Sequence, residues 1–347
     1  MTAPRRLLVE VSAQARNWSL PVVGLERVMA EAPEGWEVQV LDETIPFASE
    51  AGHVLSSAAQ AAAPEIEAYF GWGIAQSLFV QAPKLRWVHS CSAGVGRSLF
   101  PEMIESDVAF TNSAGVMGET IAEHVLAGVL YFLRGLDVAV AQQRLATWDK
   151  APFTDARARV RELCECRVLV VGTGGLGDAI ARRFHALGVP RVTGIRRRTH
   201  LGPPPGFHAV VSLDEIDAVL PASDVIVLAA PLTPDTSGLL SARRLDCLPP
   251  GAIVVNVARG ALLDERALAD RLSTRQIRGA VLDVFAEEPL PVTSGLWGLP
   301  NVLLTPHVSY VSPRLFWMRA LDLFLDNWSR YSRGESLRNV VDKLAGY

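Results

Sequence analysis

The chain has 347 residues, 49% of them hydrophobic and 20% charged, with a formal net charge of −4. That is enough apolar material for two ordinary cores and too much for a disordered polymer. With no long basic block, the composition argues against nucleic acid as a partner, so any anionic ligand must be held by local groups.

Met1 is followed by Arg5, Arg6 and only a short apolar strand, which is not the pattern of a secretory leader. The longest apolar run, Val125 to Leu133, falls well short of a bilayer. The four cysteines, Cys91, Cys164, Cys166 and Cys247, lack paired zinc spacing, and Cys164-x-Cys166 reads as incidental. The expectation is a cytoplasmic protein with no metal, no membrane and no nucleic-acid partner.

In chain order, Leu7 to Val11 and Val38 to Leu41 read as strands with a helix around Leu25 to Ala30 between them, and Ile66 to Phe70 and Leu85 to His89 continue the series. Such alternation predicts a parallel sheet covered by helices. Two loops follow strands directly, Gly71-Trp72-Gly73 and Ser90 to Gly96. Ligands in open α/β sheets bind beyond the carboxyl ends of the strands. Both loops, the first with Trp72, are therefore candidates to face a cleft, and the Ser92 to Gly96 backbone could offer amides to a carboxylate as an anion-binding nest, with ordinary glycine turns an alternative of at least equal weight.

The segment Thr120 to Leu136 then reads as one helix that is apolar on most faces, which suggests burial between domains or at a subunit interface. His124 within it reads as a hydrogen-bonded packing residue. Next, Arg167 to Arg198 forms a strand-turn-helix-strand unit around Gly172-Thr-Gly174-Gly175-Leu176-Gly177. Gly172 permits the tight turn, Gly174 lets a pyrophosphate approach the backbone, and Gly177 lets the helix pack close to the strand. The amides and dipole of the new helix face the phosphates. A carboxylate for the ribose hydroxyls is usual about 20 residues on, but Ile195 stands there, followed by Arg196, Arg197 and Arg198. Guanidinium groups suit a 2′-phosphate, so NADP(H) is favoured over NAD(H), against the plain alternative of a solvated basic turn.

Four further strands follow: Asp224 to Leu228, Ala252 to Val257, Ala280 to Val284, and Val302 to Leu304. Pro231 lies in the loop after the first and Ala258 just after the second, so both are counted with the cofactor-facing set. An amphipathic helix with Leu315, Trp317, Leu321, Leu325 and Trp328 closes the chain.

Arg259, Glu288 and His307 each fall shortly after a different predicted strand. Parallel strands end on one edge, the edge where the glycine turn holds the cofactor, so a cation, a carboxylate and an imidazole converge there. Those groups suit hydride exchange at a 2-keto acid. Arg259 can hold the carboxylate and keto oxygen, His307 can give or take the carbonyl proton, and Glu288 would favour the charged imidazole.

The runs Gly172 to Gly177, Asn256-Val-Ala-Arg259-Gly260, Asp283-Val-Phe-Ala-Glu-Glu288-Pro-Leu-Pro291 and Thr305-Pro-His307 resemble, in order and spacing, the D-isomer-specific 2-hydroxyacid dehydrogenase family. Ser113 to His124 is similar to the start of that family's cofactor domain. The resemblance implies an α/β fold of two domains: a Rossmann-type, doubly wound cofactor domain (111–307) inserted into a smaller flavodoxin-like substrate domain (1–110 and 308–347). It implies an arginine, glutamate and histidine triad on Arg259, Glu288 and His307. It also implies contact between Asp283 and the nicotinamide carboxamide, and a substrate carboxylate on the Ser92 to Val95 backbone. A homodimer joined through the cofactor domains is implied as well. The Trp87 to Val95 segment and the arginines at 196–198 look most like the glyoxylate and hydroxypyruvate reductase branch. Departures are Ile195, which puts NAD preference in doubt, and Leu163-Cys-Glu-Cys166, which lacks the family's Gly-Lys turn. The reading is reduction of a small 2-keto acid to the D-2-hydroxy acid. The competing readings are a dehydrogenase for a bulkier 2-hydroxy acid and a non-catalytic dinucleotide sensor.

Overall fold

The computed structural model describes residues 4–11, 19–41, 56–155 and 160–346. The chain divides into two compact units, one of Met1–Val116 with Ser312–Tyr347, the other of Met117–Val311.

The first unit is a five-stranded parallel sheet of β1 (Arg5–Glu10), β2 (Trp36–Val40), β3 (Ala68–Gly71), β4 (Trp87–Ser90) and β5 (Ala109–Asn112), in the order β2-β1-β3-β4-β5. β3 and β4 are buried along their whole length, as expected of strands covered on both faces. Helices α1 (Val22–Ala30) and α2 (Phe316–Ser332) pack together in this unit. Gly24 makes their approach close, because a Cβ there would fall 2.9 Å from the Leu321 side chain. α2 also drives Phe324 into an aromatic core, stacked on Phe70 at 3.9 Å and on Trp87 at 5.6 Å.

The second unit holds a seven-stranded parallel sheet: β6 (Arg167–Val171), β7 (Arg191–Ile195), β8 (Ala209–Val211), β9 (Val225–Leu228), β10 (Ile253–Asn256), β11 (Gly279–Leu282) and β12 (Val302–Leu304). Its order, β8-β7-β6-β9-β10-β11-β12, reverses direction between β6 and β9, the doubly wound arrangement. β6, β9, β10 and β11 are continuous Val/Ile/Leu-rich runs, and apolar clusters lie on both faces of the sheet.

The apolar stretch after β5 differs from the single helix predicted. It is α3 (Gly118–Leu133) and a separate α4 (Leu136–Arg144), broken at Gly135, whose φ of +69° no long helix accommodates. Arg278 spans the break: its guanidinium holds Asp137 with two bonds of 2.6 and 2.7 Å and donates to the Phe132 carbonyl at the end of α3. Among the described residues, no single helix is long and apolar enough to cross a membrane.

Candidate active site

The glycine turn between β6 and α5 (Gly175–Ala186) is built as its residue types require. Gly172 has φ +101°. A Cβ on Gly177 would fall 1.9 Å from the Gly172 carbonyl oxygen, so only glycine allows the helix to start there. Beside Gly174 there is open space, and among the described residues no side chain caps the amides of Gly175 and Leu176. The turn is thus a cradle with unpaired donors at a helix N-terminus, which fits a pyrophosphate. At the end of β7, Ile195 is buried, Arg196 donates to the Gly202 carbonyl at 3.0 Å, and Arg197 and Arg198 are exposed. Pro231 stands in an exposed turn fixed by the Thr236 hydroxyl, which donates to the Pro231 carbonyl at 2.7 Å.

Three loops at the carboxyl edge of the same sheet carry the candidate catalytic groups. After β10, the fully buried Asn256 side chain accepts from the Ala258 amide and donates to the Arg259 carbonyl, so the loop presenting Arg259 is tied to its own strand. Arg259 itself is exposed, with Nη1 donating to the Ala258 carbonyl at 2.6 Å. A Cβ on Gly260 would lie 1.9 Å from the Phe285 carbonyl carbon, so this loop and the loop after β11 touch backbone to backbone.

Glu288 divides its two oxygens. Oε1 accepts the Phe285 amide at 2.9 Å, and Oε2 lies 2.8 Å from His307 Nδ1. An ionised carboxylate only accepts, so Nδ1 carries the hydrogen and Nε2 is left as the atom that exchanges a proton. The two side chains keep 36% and 41% exposure, which leaves Nε2 accessible.

His307 adopts φ +52°, a left-handed conformation that costs a non-glycine residue about 1 kcal/mol and that its surroundings must hold. Asp283, fully buried, does the holding. It accepts from the Thr305 hydroxyl at 2.6 Å, the Val308 amide at 2.9 Å and the Ser309 amide at 3.0 Å, donors on both sides of His307. Because the Thr305 hydroxyl is donated to Asp283, it accepts from His124 Nε2 at 3.3 Å, which ties the loop to α3. Tyr310 stands edge-on to the imidazole, with ring centroids 5.6 Å apart. Burial raises its phenol above the usual range, and the Asp283 and Glu288 charges add to that, so it stays neutral.

Sequence reasoning singled out Arg259, Glu288 and His307, and the structure brings the latter two into direct contact. It missed the supporting roles of Asn256, Thr305 and Tyr310. Only Asn256 was visible, as a polar residue ending an otherwise apolar strand.

In the first unit, Trp72 stacks on Phe316 at 5.6 Å and meets Trp317 edge-on, as part of that unit's own packing. The loop after β4 is pinned by Ser92 Oγ donating to the Trp72 carbonyl and by Asn112 donating to the Ala93 carbonyl. The exposed amides of Ala93 and Gly94 donate to nothing among the described residues.

Residues 126–309 match the family model for the NAD-binding domain of D-isomer specific 2-hydroxyacid dehydrogenases. The chain is 33% identical over 270 residues to glyoxylate/hydroxypyruvate reductase A of Salmonella paratyphi B, covering 76% of this chain and 82% of that one. It resembles the D-isomer specific 2-hydroxyacid dehydrogenase from Xanthobacter autotrophicus Py2, solved with NADPH and MES (TM-score 0.77, 30% identity, 99% and 100% of the two chains). It also resembles the NADPH-dependent glyoxylate/hydroxypyruvate reductase from Sinorhizobium meliloti, solved with NADP and sulfate (TM-score 0.75, 29% identity, 99% and 100%). A chain with this turn, this carboxylate–imidazole pair and these relatives belongs to the D-isomer-specific 2-hydroxyacid dehydrogenase family, on its glyoxylate/hydroxypyruvate reductase-like branch.

Proposed function

We propose that the protein reduces a small 2-keto acid of the glyoxylate or hydroxypyruvate kind to the D-2-hydroxy acid, with NADP(H) preferred. The observation that carries this is the Glu288–His307 pair at 2.8 Å on the same sheet edge as Arg259 and the glycine cradle. When bound, the cofactor supplies the hydride. His307 Nε2 gives its proton to the carbonyl oxygen as that oxygen gains charge, and takes it back in the oxidative direction. Glu288 fixes the tautomer and stabilises the imidazolium. Arg259 forks onto the substrate carboxylate and keto oxygen.

Asp283, fully buried with both oxygens already accepting, holds the His307 loop and presents no exposed acceptor to a nicotinamide carboxamide. Gly172 to Gly177 hold the pyrophosphate, with Pro231 and Ala258 in the adjoining loops. Arg196, Arg197 and Arg198 take the 2′-phosphate, a reading supported by the NADP(H)-bound relatives. Within the first unit, the Ala93 and Gly94 amides, in the run Ser92 to Val95, are proposed donors to a carboxylate, with Trp72 in the neighbouring loop. A homodimer through the second unit is supported by α4, which has no buried residue, and by the exposed Leu136, Leu145 and Trp148. Four free cysteines, Cys164 exposed, suit the cytoplasm.

The test is initial-rate oxidation of NADPH and NADH against glyoxylate, hydroxypyruvate, pyruvate and branched or phenyl 2-keto acids. Turnover of the small acids with an NADPH preference that collapses in Arg196→Asp/Arg197→Asp supports the proposal. Turnover only of bulky acids, or none despite cofactor binding, overturns it.

A further inference from the structure

A carboxylate in the first turn of a helix ordinarily faces solvent or its own helix N-terminus. Glu265 does neither. It opens α6 (Glu265–Ser273), where the cap is already supplied by Asp264, whose side chain accepts the Ala267 amide at 2.9 Å. The half-buried Glu265 reaches across instead, and its Oε1 accepts the Ala286 amide at 2.6 Å. Ala286 follows Phe285, whose amide goes to Glu288. Two consecutive amides of one loop are therefore aimed at two carboxylates, one from α6 and one the partner of His307. The backbone contact at Gly260 presses the same two segments together.

We infer that Glu265 is a positioning residue: it clamps the loop bearing Glu288 onto the segment bearing Arg259. The inference rests on the reductase reading for its kinetic consequences, though not for its geometry. Burial pushes the Glu265 carboxyl up from its usual range, and the Glu288 charge pushes the same way.

The experiment uses the full chain and the variants Glu265→Gln and Glu265→Ala. Glutamine keeps an acceptor for the Ala286 amide and loses only the charge. Its kcat should stay within about threefold of the parent, because the bond to the Ala286 amide is kept. Alanine loses acceptor and charge, and kcat should fall about 10-fold or more with KM for NADPH unchanged. The His307 Cε1–H resonance, assigned by its loss in His307→Asn, reports the surroundings of the imidazole without any substrate, and it should shift in Glu265→Ala and stay in place in Glu265→Gln. Unaltered kcat in Glu265→Ala, or a folded Glu265→Gln as impaired as Glu265→Ala, overturns the inference. Absence of turnover in the parent would fault the reductase reading alone, because the resonance still reports on Glu265.

Discussion

Replacing Asp283 with asparagine should cost about 3 kcal/mol and disable catalysis more than cofactor binding. The carboxylate is fully buried and accepts three hydrogen bonds at 2.6, 2.9 and 3.0 Å. Asparagine can turn its single oxygen to Thr305 and Val308, but those two bonds lose their charge assistance, about 1 kcal/mol each. Its NH2 group then faces the amide of Ser309, a residue only 4% exposed, donor against donor, and leaves that N–H unsatisfied at about 1–3 kcal/mol. Relief of carboxylate desolvation returns part of this. With its anchors weakened, His307 has less to hold it at φ +52° and to keep Nδ1 at 2.8 Å from Glu288. The assays are urea unfolding, steady-state reduction, and NADPH binding by fluorescence. We expect the loss of stability together with a fall in kcat of about 10- to 100-fold and an NADPH Kd within a few-fold of the parent. An unfolding free energy and kcat both unchanged would refute the reasoning. A lost cofactor affinity with kcat intact would make Asp283 a carboxamide ligand and nothing more.

Gly260→Ala should lower the melting temperature and reduce kcat about 100-fold, since its Cβ would stand 1.9 Å from the Phe285 carbonyl carbon and must separate the Arg259 and Glu288 loops; a parent-like melting curve with full activity would contradict the close approach. His89 is fully buried, and desolvation lowers its pKa to about 3. Below about pH 6.5 the unfolded chain binds a proton there that the folded chain refuses, so stability falls by about 1.4 kcal/mol per pH unit between those values. Urea midpoints at pH 7.5 and 5.0 should diverge in the parent and converge in His89→Phe; an identical acid loss in both would clear His89.

The glycine turn and the apolar central strands were legible because their causes are local. A strand buried on both faces must be an apolar run, and Gly177 must lack a Cβ to pack on Gly172. β5 and β8 were not read as strands: β5 ends in Thr111 and Asn112, and β8 is three half-buried residues at the sheet edge. The break at Gly135 was written in the sequence as Arg134-Gly135, yet the apolar pattern runs straight through it. Arg259, Glu288 and His307 were legible because topology alone sends them to one edge. Glu265 and Asn256 were not given roles, since their partners at Ala286 and Ala258 are set by how two loops meet rather than by any spacing.

The most direct test of the central claim is the kcat of His307→Ala for NADPH-dependent reduction of glyoxylate and hydroxypyruvate, measured beside NADPH binding. The arrangement at Nε2 predicts a fall of about 100-fold or more with cofactor affinity retained. Turnover equal to the parent's would remove His307 from the chemistry and contradict the account.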